Sequence, residues 1–128
     1  MSMGMKAPLK KVRGLGSAKD GTTHWWHQKV TAVAMIPLFV IALAYVISLV
    51  GADYSYVRYV LGTPVASLVM LLLIVVMFYH MKLGIQVVIE DYIHTESTKF
   101  VLLLLNSFLC AVVGLAAALA VLKLALGS

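Results

Sequence analysis

Three long apolar stretches, at about residues 29–50, 64–89 and 100–126, constrain the fold of this 128-residue chain most strongly. A bilayer core of ~30 Å needs about 20 apolar residues in a helix. A helix also satisfies its own backbone hydrogen bonds, which lipid cannot do. Charged residues make up only 12% of the chain, so little remains for a soluble domain. The sequence therefore predicts an all-α integral membrane protein with three transmembrane helices.

The chain has a formal charge of +5, and most of its basic residues lie before or at the start of the first stretch. This distribution does not indicate nucleic-acid binding. It follows the positive-inside pattern and predicts a cytoplasmic N-terminus and a periplasmic C-terminus. We expect residues 1–28 to form a cytoplasmic tail with an interfacial segment, and residues 29–128 to form a three-helix anchor. The tail does not resemble a signal peptide or a transit peptide, so a bacterial inner membrane is predicted. The basic residues concerned are Lys6, Lys10, Lys11, Arg13, Lys19 and Lys29.

The second span carries polar residues where lipid would exclude them. On a helix, Gly84 lies ~40° and Asp91 ~20° from His80, which places the three on one stripe. Asp91 lies about 16 Å along the axis from His80, and Tyr92 is turned ~120° to one flank. Ionisable residues inside a span are costly and usually functional. One helix face thus presents an imidazole, a gap without a side chain, and an acid-phenol pair at the inner interface.

The residues alone leave several roles open for this stripe. His80 could ligate a metal or haem, relay protons, or bond to another helix. Zinc and copper sites need several ligands, whereas haem needs one imidazole from a helix, and Gly84 would admit a porphyrin edge. Asp91 and Tyr92 could anchor the helix at the interface or bind a quinone carbonyl. Roles also stay open for Lys82, Gln86 (an expected interhelical hydrogen bonder), His24, His27 and His94.

The spacing His80, ten residues, Asp91-Tyr92 at the end of the second of three spans resembles a known family. That family is the small hydrophobic membrane anchor of succinate dehydrogenase, a cytochrome b556-type small subunit. The segment "HWWHQKVTAVAMIPL", with Lys29 before the Thr31-Ala32 pair, also looks like the family's amphipathic segment leading into the first span.

The resemblance implies a role for each matching residue. His80 would be one axial ligand of haem b, with the second ligand supplied by a second membrane anchor. Tyr92 would donate a hydrogen bond to ubiquinone. Asp91 would position or tune the Tyr92 phenol. Lys29 would approach the haem propionates, with Gly84 near the macrocycle. Many relatives have arginine in place of Lys29, and lysine cannot make the same bidentate contact.

The resemblance further implies an anchor that is not catalytic alone. It would attach a flavoprotein subunit and an iron-sulfur subunit to the lipid membrane, beside the second membrane anchor, and help them reduce ubiquinone with electrons from succinate. The alternatives are a fumarate reductase anchor, a small proton-coupled transporter using His80, Lys82 and Asp91, and a purely structural subunit. Haem content distinguishes the last two from the dehydrogenase anchor.

Overall fold

The structure, a computed structural model, describes residues 16–127, with side chains from Gly21 onward. Over this part of the chain all the regular secondary structure is helical, which confirms the predicted all-α class. The basic residues Lys6, Lys10, Lys11 and Arg13 lie outside the described residues. The helices are α1 (Gly16–Ser48), α2 (Tyr54–Leu61), α3 (Pro64–Tyr92) and α4 (Glu96–Ala125).

Three of these helices are long and apolar enough to cross a membrane: α1 from Gly21 onward, α3 and α4. The predicted three-span membrane architecture is therefore confirmed. Helix α1 begins at Gly16 and so extends N-terminally beyond Lys29, where the predicted span starts. Thus the part of the expected interfacial segment that the structure describes forms the first turns of α1.

The central helix is α3, with α1 packed on one side and α4 on the other. Over the described residues, α1 and α4 do not pack against each other. Gly114 of α4 allows close approach, since a Cβ atom at this position would lie 3.3 Å from the Phe78 ring of α3. The three spanning helices therefore form an open layer instead of a closed bundle.

Few side chains are buried within this layer. Buried apolar residues include Leu83 and Ile89 of α3, but no large side chain in the described part of the chain is completely enclosed. Most Val, Leu, Ile and Phe side chains of α1 and α4 are exposed, and α3, which lies between them, exposes a smaller share of its own. A helix that is hydrophobic all round requires apolar surroundings. The remaining surface is therefore suited to lipid and to the helices of partner chains.

The connection between α1 and α3 contains the short helix α2. Gly51 turns the chain with a φ of 81°, a conformation that glycine adopts without strain. The Ser55 hydroxyl donates to the Asp53 carboxylate and lowers the pKa of Asp53. Gly62 lies against the end of α4, since a Cβ atom there would be 2.8 Å from the Leu124 carbonyl oxygen.

Candidate functional site

His80 lies half-buried where α3 packs against α1. Its Nδ1 atom is 2.9 Å from the Thr31 hydroxyl oxygen, which links the two helices in the membrane-spanning region. The simplest role considered for an intramembrane histidine, a hydrogen bond between helices, is thus present. This contact occupies one ring nitrogen, and the other, Nε2, makes no hydrogen bond to any described residue.

An apolar groove of about 470 Å³ runs along α1 beside His80 and opens to the outside of the layer. Its wall on α1 is formed by apolar side chains, its surface is almost entirely apolar, and His80 is the polar residue among those that line it. A flat, apolar ligand that also requires a nitrogen donor would match both features. The residues of α1 that line the groove are Ala32, Met35, Ile36, Phe39 and Val40.

Gly84 leaves space one turn from His80. A Cβ atom built on Gly84 would have the Gln28 side-chain amide as its nearest neighbour, at 4.0 Å. The missing side chain therefore widens the region between α1 and α3, on the side of His80 that faces the N-terminal end of α1. One imidazole with an available nitrogen, an apolar wall and this gap fit a haem group. A multi-ligand zinc or copper centre does not fit, because no group of three His, Cys, Asp or Glu occurs among the described residues.

Lys29 lies on the same face of α1 as the groove. It precedes Ala32 by three residues and Ile36 by seven, a spacing that aligns side chains along one helical stripe. Its Nζ atom is 5.7 Å from the centroid of the Trp25 ring, which is within cation-π range. Exposed Lys29 therefore lies one turn before Ala32, the first α1 residue of the groove, on the side toward the start of α1.

Asp91 and Tyr92 occupy the last turn of α3 and are exposed. Tyr92 has 76% of its surface accessible, so a partner chain or ligand can reach its hydroxyl. The helical rise separates Tyr92 from His80 by about 18 Å. The structure therefore gives two regions on one helix, an imidazole within the span and an acid-phenol pair at its C-terminal end.

Several contacts at the α1–α3 interface were not predicted from the sequence. The Tyr79 hydroxyl lies 2.9 Å from Nδ1 of His27, and Thr31 contacts His80. In the sequence, Thr31 stands out only as part of a Thr-Ala pair typical of the family, since a sequence does not reveal which residue of α1 lies opposite His80. His24 has a buried Nε2 atom without a hydrogen-bond partner among the described residues.

The expectation for Gln86 was wrong. Its side-chain amide donates to the Glu90 carboxylate, 2.9 Å away and one turn along the same helix. The interhelical amide is Asn106 instead, which donates to the Lys82 backbone carbonyl oxygen at 3.0 Å. Gln86 has a carboxylate at i+4 and reaches it without leaving its own helix, whereas buried Asn106 has its partner on α3.

The sequence is similar to a known protein family and to individual members of it. The profile of the succinate dehydrogenase/fumarate reductase transmembrane subunit family matches residues 3–114. The chain is 33% identical to the succinate dehydrogenase hydrophobic membrane anchor subunit of Paracoccus denitrificans, over 94% of this chain and 93% of the relative. The corresponding proteins of Rickettsia conorii (31%; 84% and 86% covered) and Rickettsia bellii (30%; 81% and 83%) are also similar. No solved structure matches.

Proposed function

This chain belongs to the succinate dehydrogenase/fumarate reductase transmembrane subunit family, and we propose that it anchors a succinate:ubiquinone oxidoreductase, contributing one axial haem b ligand and part of the quinone site. It is a multi-pass membrane protein with three candidate spans. The observation that carries the proposal is the half-buried His80, which lines the apolar groove and whose Nε2 atom makes no hydrogen bond to any described residue.

His80 would hold the haem iron through Nε2. Ala32 and Ile36 would form part of an apolar wall for the macrocycle, and Gly84 would leave room for its edge. Lys29 would pair with propionate groups at its end of the groove. When bound, haem b supplies a one-electron redox centre whose potential depends on ligands and burial. The groove opens outward, which supports a second axial ligand from a second membrane anchor.

Tyr92 and Asp91 would form this chain's part of the quinone site. The phenol donates a hydrogen bond to a quinone carbonyl oxygen, and the neighbouring carboxylate positions or tunes the phenol. Their exposure at the end of an apolar helix supports this assignment. A quinone head group needs polar donors there, while its tail needs apolar surroundings. The subunits docked at this end would complete the pocket.

The proposed assembly contains the second membrane anchor, an iron-sulfur subunit and a flavoprotein subunit, with lipid around the outer surface. Residues 1–28 would lie on the cytoplasmic side of a bacterial inner membrane, and residues 29–128 would form the anchor with a periplasmic C-terminus. The outward-facing apolar side chains of α1, α3 and α4 support contact with both lipid and partner helices. Succinate oxidation is proposed over fumarate reduction because the relatives at 30–33% identity are named for succinate dehydrogenase.

The test is a reduced-minus-oxidised absorbance spectrum of the intact complex, purified in mild detergent through a tag on this chain. The variants are His80→Ala and His94→Ala, where His94 is an exposed histidine beyond the end of α3. Bound flavin reports whether the complex has assembled. We expect a b-type haem signal in the wild type and in His94→Ala, and its loss in His80→Ala with flavin retained.

A haem signal that persists unchanged in an assembled His80→Ala complex would show that another residue is the axial ligand. Absence of both haem and flavin from the wild-type preparation would contradict the anchor function itself. In that case a proton-coupled transporter using His80, Lys82 and Asp91 becomes the leading alternative.

A further inference from the structure

We propose that Thr31 is a positioning residue for His80: its hydroxyl oxygen accepts a hydrogen bond from Nδ1–H, fixes the imidazole tautomer, and leaves Nε2 to bind iron. This inference rests on the haem role proposed for His80. It concerns a residue of a different helix, α1, whose hydroxyl would determine the orientation and electronic character of the ligand on α3.

The direction of this hydrogen bond follows from the contacts of the Thr31 hydroxyl. Its oxygen lies 2.7 Å from the His27 carbonyl oxygen and 3.1 Å from the Gln28 carbonyl oxygen. Both carbonyl groups are acceptors only, so the single hydroxyl proton is directed to them. The 2.9 Å contact with His80 must then use a hydroxyl lone pair, with Nδ1–H as the donor. A neutral imidazole protonated at Nδ1 carries its free lone pair on Nε2.

The support for His80 exists before any haem binds. Threonine has a stiff χ1 angle, and its hydroxyl bonds a carbonyl of the preceding turn, a conformation common in helices. The acceptor is thus fixed to the backbone of α1. Because the hydrogen bond crosses the α1–α3 interface, packing of the two helices sets both the tilt of the ring and the direction of Nε2.

A hydrogen-bond acceptor on the second ring nitrogen makes a histidine ligand more basic. A more basic ligand stabilises the oxidised iron more than the reduced iron. Loss of the Thr31 acceptor is therefore expected to raise the haem midpoint potential and to weaken haem retention. Removal of such a supporting partner typically costs about 10–100-fold in metal affinity.

The experiment compares three variants in the intact complex. Thr31→Val keeps the side-chain shape but removes the hydroxyl acceptor. Thr31→Ser retains the hydroxyl and removes only the methyl group. Tyr79→Phe is the matched control, because it removes another hydrogen bond between α1 and α3, to His27, and leaves the Thr31–His80 contact in place. The readouts are the haem-to-flavin ratio during detergent dilution and the haem midpoint potential from a spectroscopic redox titration.

We expect Thr31→Val to raise the midpoint potential and to lose haem about 10–100-fold more readily on dilution. Thr31→Ser and Tyr79→Phe should behave like the wild type. If Thr31→Val fails to assemble, the smaller Thr31→Ala variant removes the same acceptor and is judged by the same two readouts.

Two results would overturn the role of Thr31. One is an unchanged potential and haem ratio in an assembled hydroxyl-free variant. The other is an equal shift in Tyr79→Phe, which would attribute the effect to helix packing. Neither result affects the ligand assignment, which depends on loss of haem in His80→Ala. Retention of haem in His80→Ala would instead remove the haem role of His80, and the Thr31 proposal with it.

Discussion

The Asn106 side chain of α4 donates a hydrogen bond to the backbone carbonyl oxygen of Lys82 on α3, at 3.0 Å. Asn106 is buried, and its own amide oxygen lies 3.5 Å from the Cys110 thiol, which donates to it. A buried amide between spanning helices is costly unless it is paired. This contact joins the two helices close to the level of His80.

Replacing Asn106 with leucine should weaken the packing of α3 against α4. Interhelical hydrogen bonds in membranes contribute on average ~0.6 kcal/mol and at most ~1.7 kcal/mol, so a loss of about 1 kcal/mol is expected. Thermal unfolding of the purified complex should show a lower midpoint for Asn106→Leu than for the wild type. Ser107→Ala, a change of the adjacent polar residue, should leave the midpoint unchanged. An unaltered midpoint in Asn106→Leu would show that this hydrogen bond does not stabilise the complex.

Two glycines in the spans, Gly114 and Gly84, should respond differently to alanine. At Gly114 an added Cβ would lie 3.3 Å from Phe78 Cγ, tighter than ordinary packing, whereas at Gly84 the nearest atom is 4.0 Å away. Overpacking typically costs about 1–3 kcal/mol. Gly114→Ala should therefore lower the thermal midpoint, and Gly84→Ala should not. Equal effects at both positions would contradict the close contact between α3 and α4.

A larger side chain at Gly84 should exclude haem without disrupting the helices. Leucine would fill the gap one turn from His80, where a single methyl group meets only the Gln28 amide. We expect Gly84→Leu to lower the haem-to-flavin ratio strongly while Gly84→Ala keeps it near the wild-type value. A full haem complement in Gly84→Leu would show that the macrocycle does not occupy the gap at Gly84.

Tyr92→Phe and Asp91→Asn should impair quinone reduction while leaving haem in place. Loss of one hydrogen bond is worth about 0.5–1.5 kcal/mol, and about 1.4 kcal/mol corresponds to tenfold in affinity. The KM for ubiquinone should rise by up to about tenfold in Tyr92→Phe. The b-type spectrum should not change, because Tyr92 lies about 18 Å along the helix from His80.

Succinate oxidation with a water-soluble artificial electron acceptor is the control for this change, since it bypasses the quinone. It should be the same in the wild type and both variants. A parallel decrease with the artificial acceptor would indicate a defect in assembly. Wild-type kinetics with ubiquinone in both variants would exclude Tyr92 and Asp91 from the site.

The proposed orientation can be tested with single cysteines. Ser55 lies in the exposed α2 and Ser97 at the start of α4, on opposite sides of the membrane in a three-span topology. A membrane-impermeant thiol reagent should label Ser55→Cys in cells whose outer membrane is permeable to it, and Ser97→Cys only after the inner membrane is opened. Native Cys110 is buried and should stay unlabelled. The reverse pattern would place the N-terminus in the periplasm.

The fold class, the three membrane helices and the position of the polar residues along α3 all follow from the order of residues alone. Lipid accepts only helices or closed barrels, so the length and hydropathy of each stretch suffice to identify a span. The periodicity of one helix also suffices to place His80, Gly84 and Asp91 on one stripe. These are properties of a single segment, and they require no knowledge of its neighbours.

The contacts between helices, in contrast, become known only from the packed structure. Among the described residues, Thr31 lies opposite His80, the amide that bonds between helices is Asn106 rather than Gln86, and α1 and α4 do not pack against each other. Apolar side chains surround most of each spanning helix, so hydrophobicity alone does not indicate which face contacts another helix. That choice depends on close packing at small residues such as Gly114 and on the pairing of a few polar groups, because these interactions join segments that are distant in the chain.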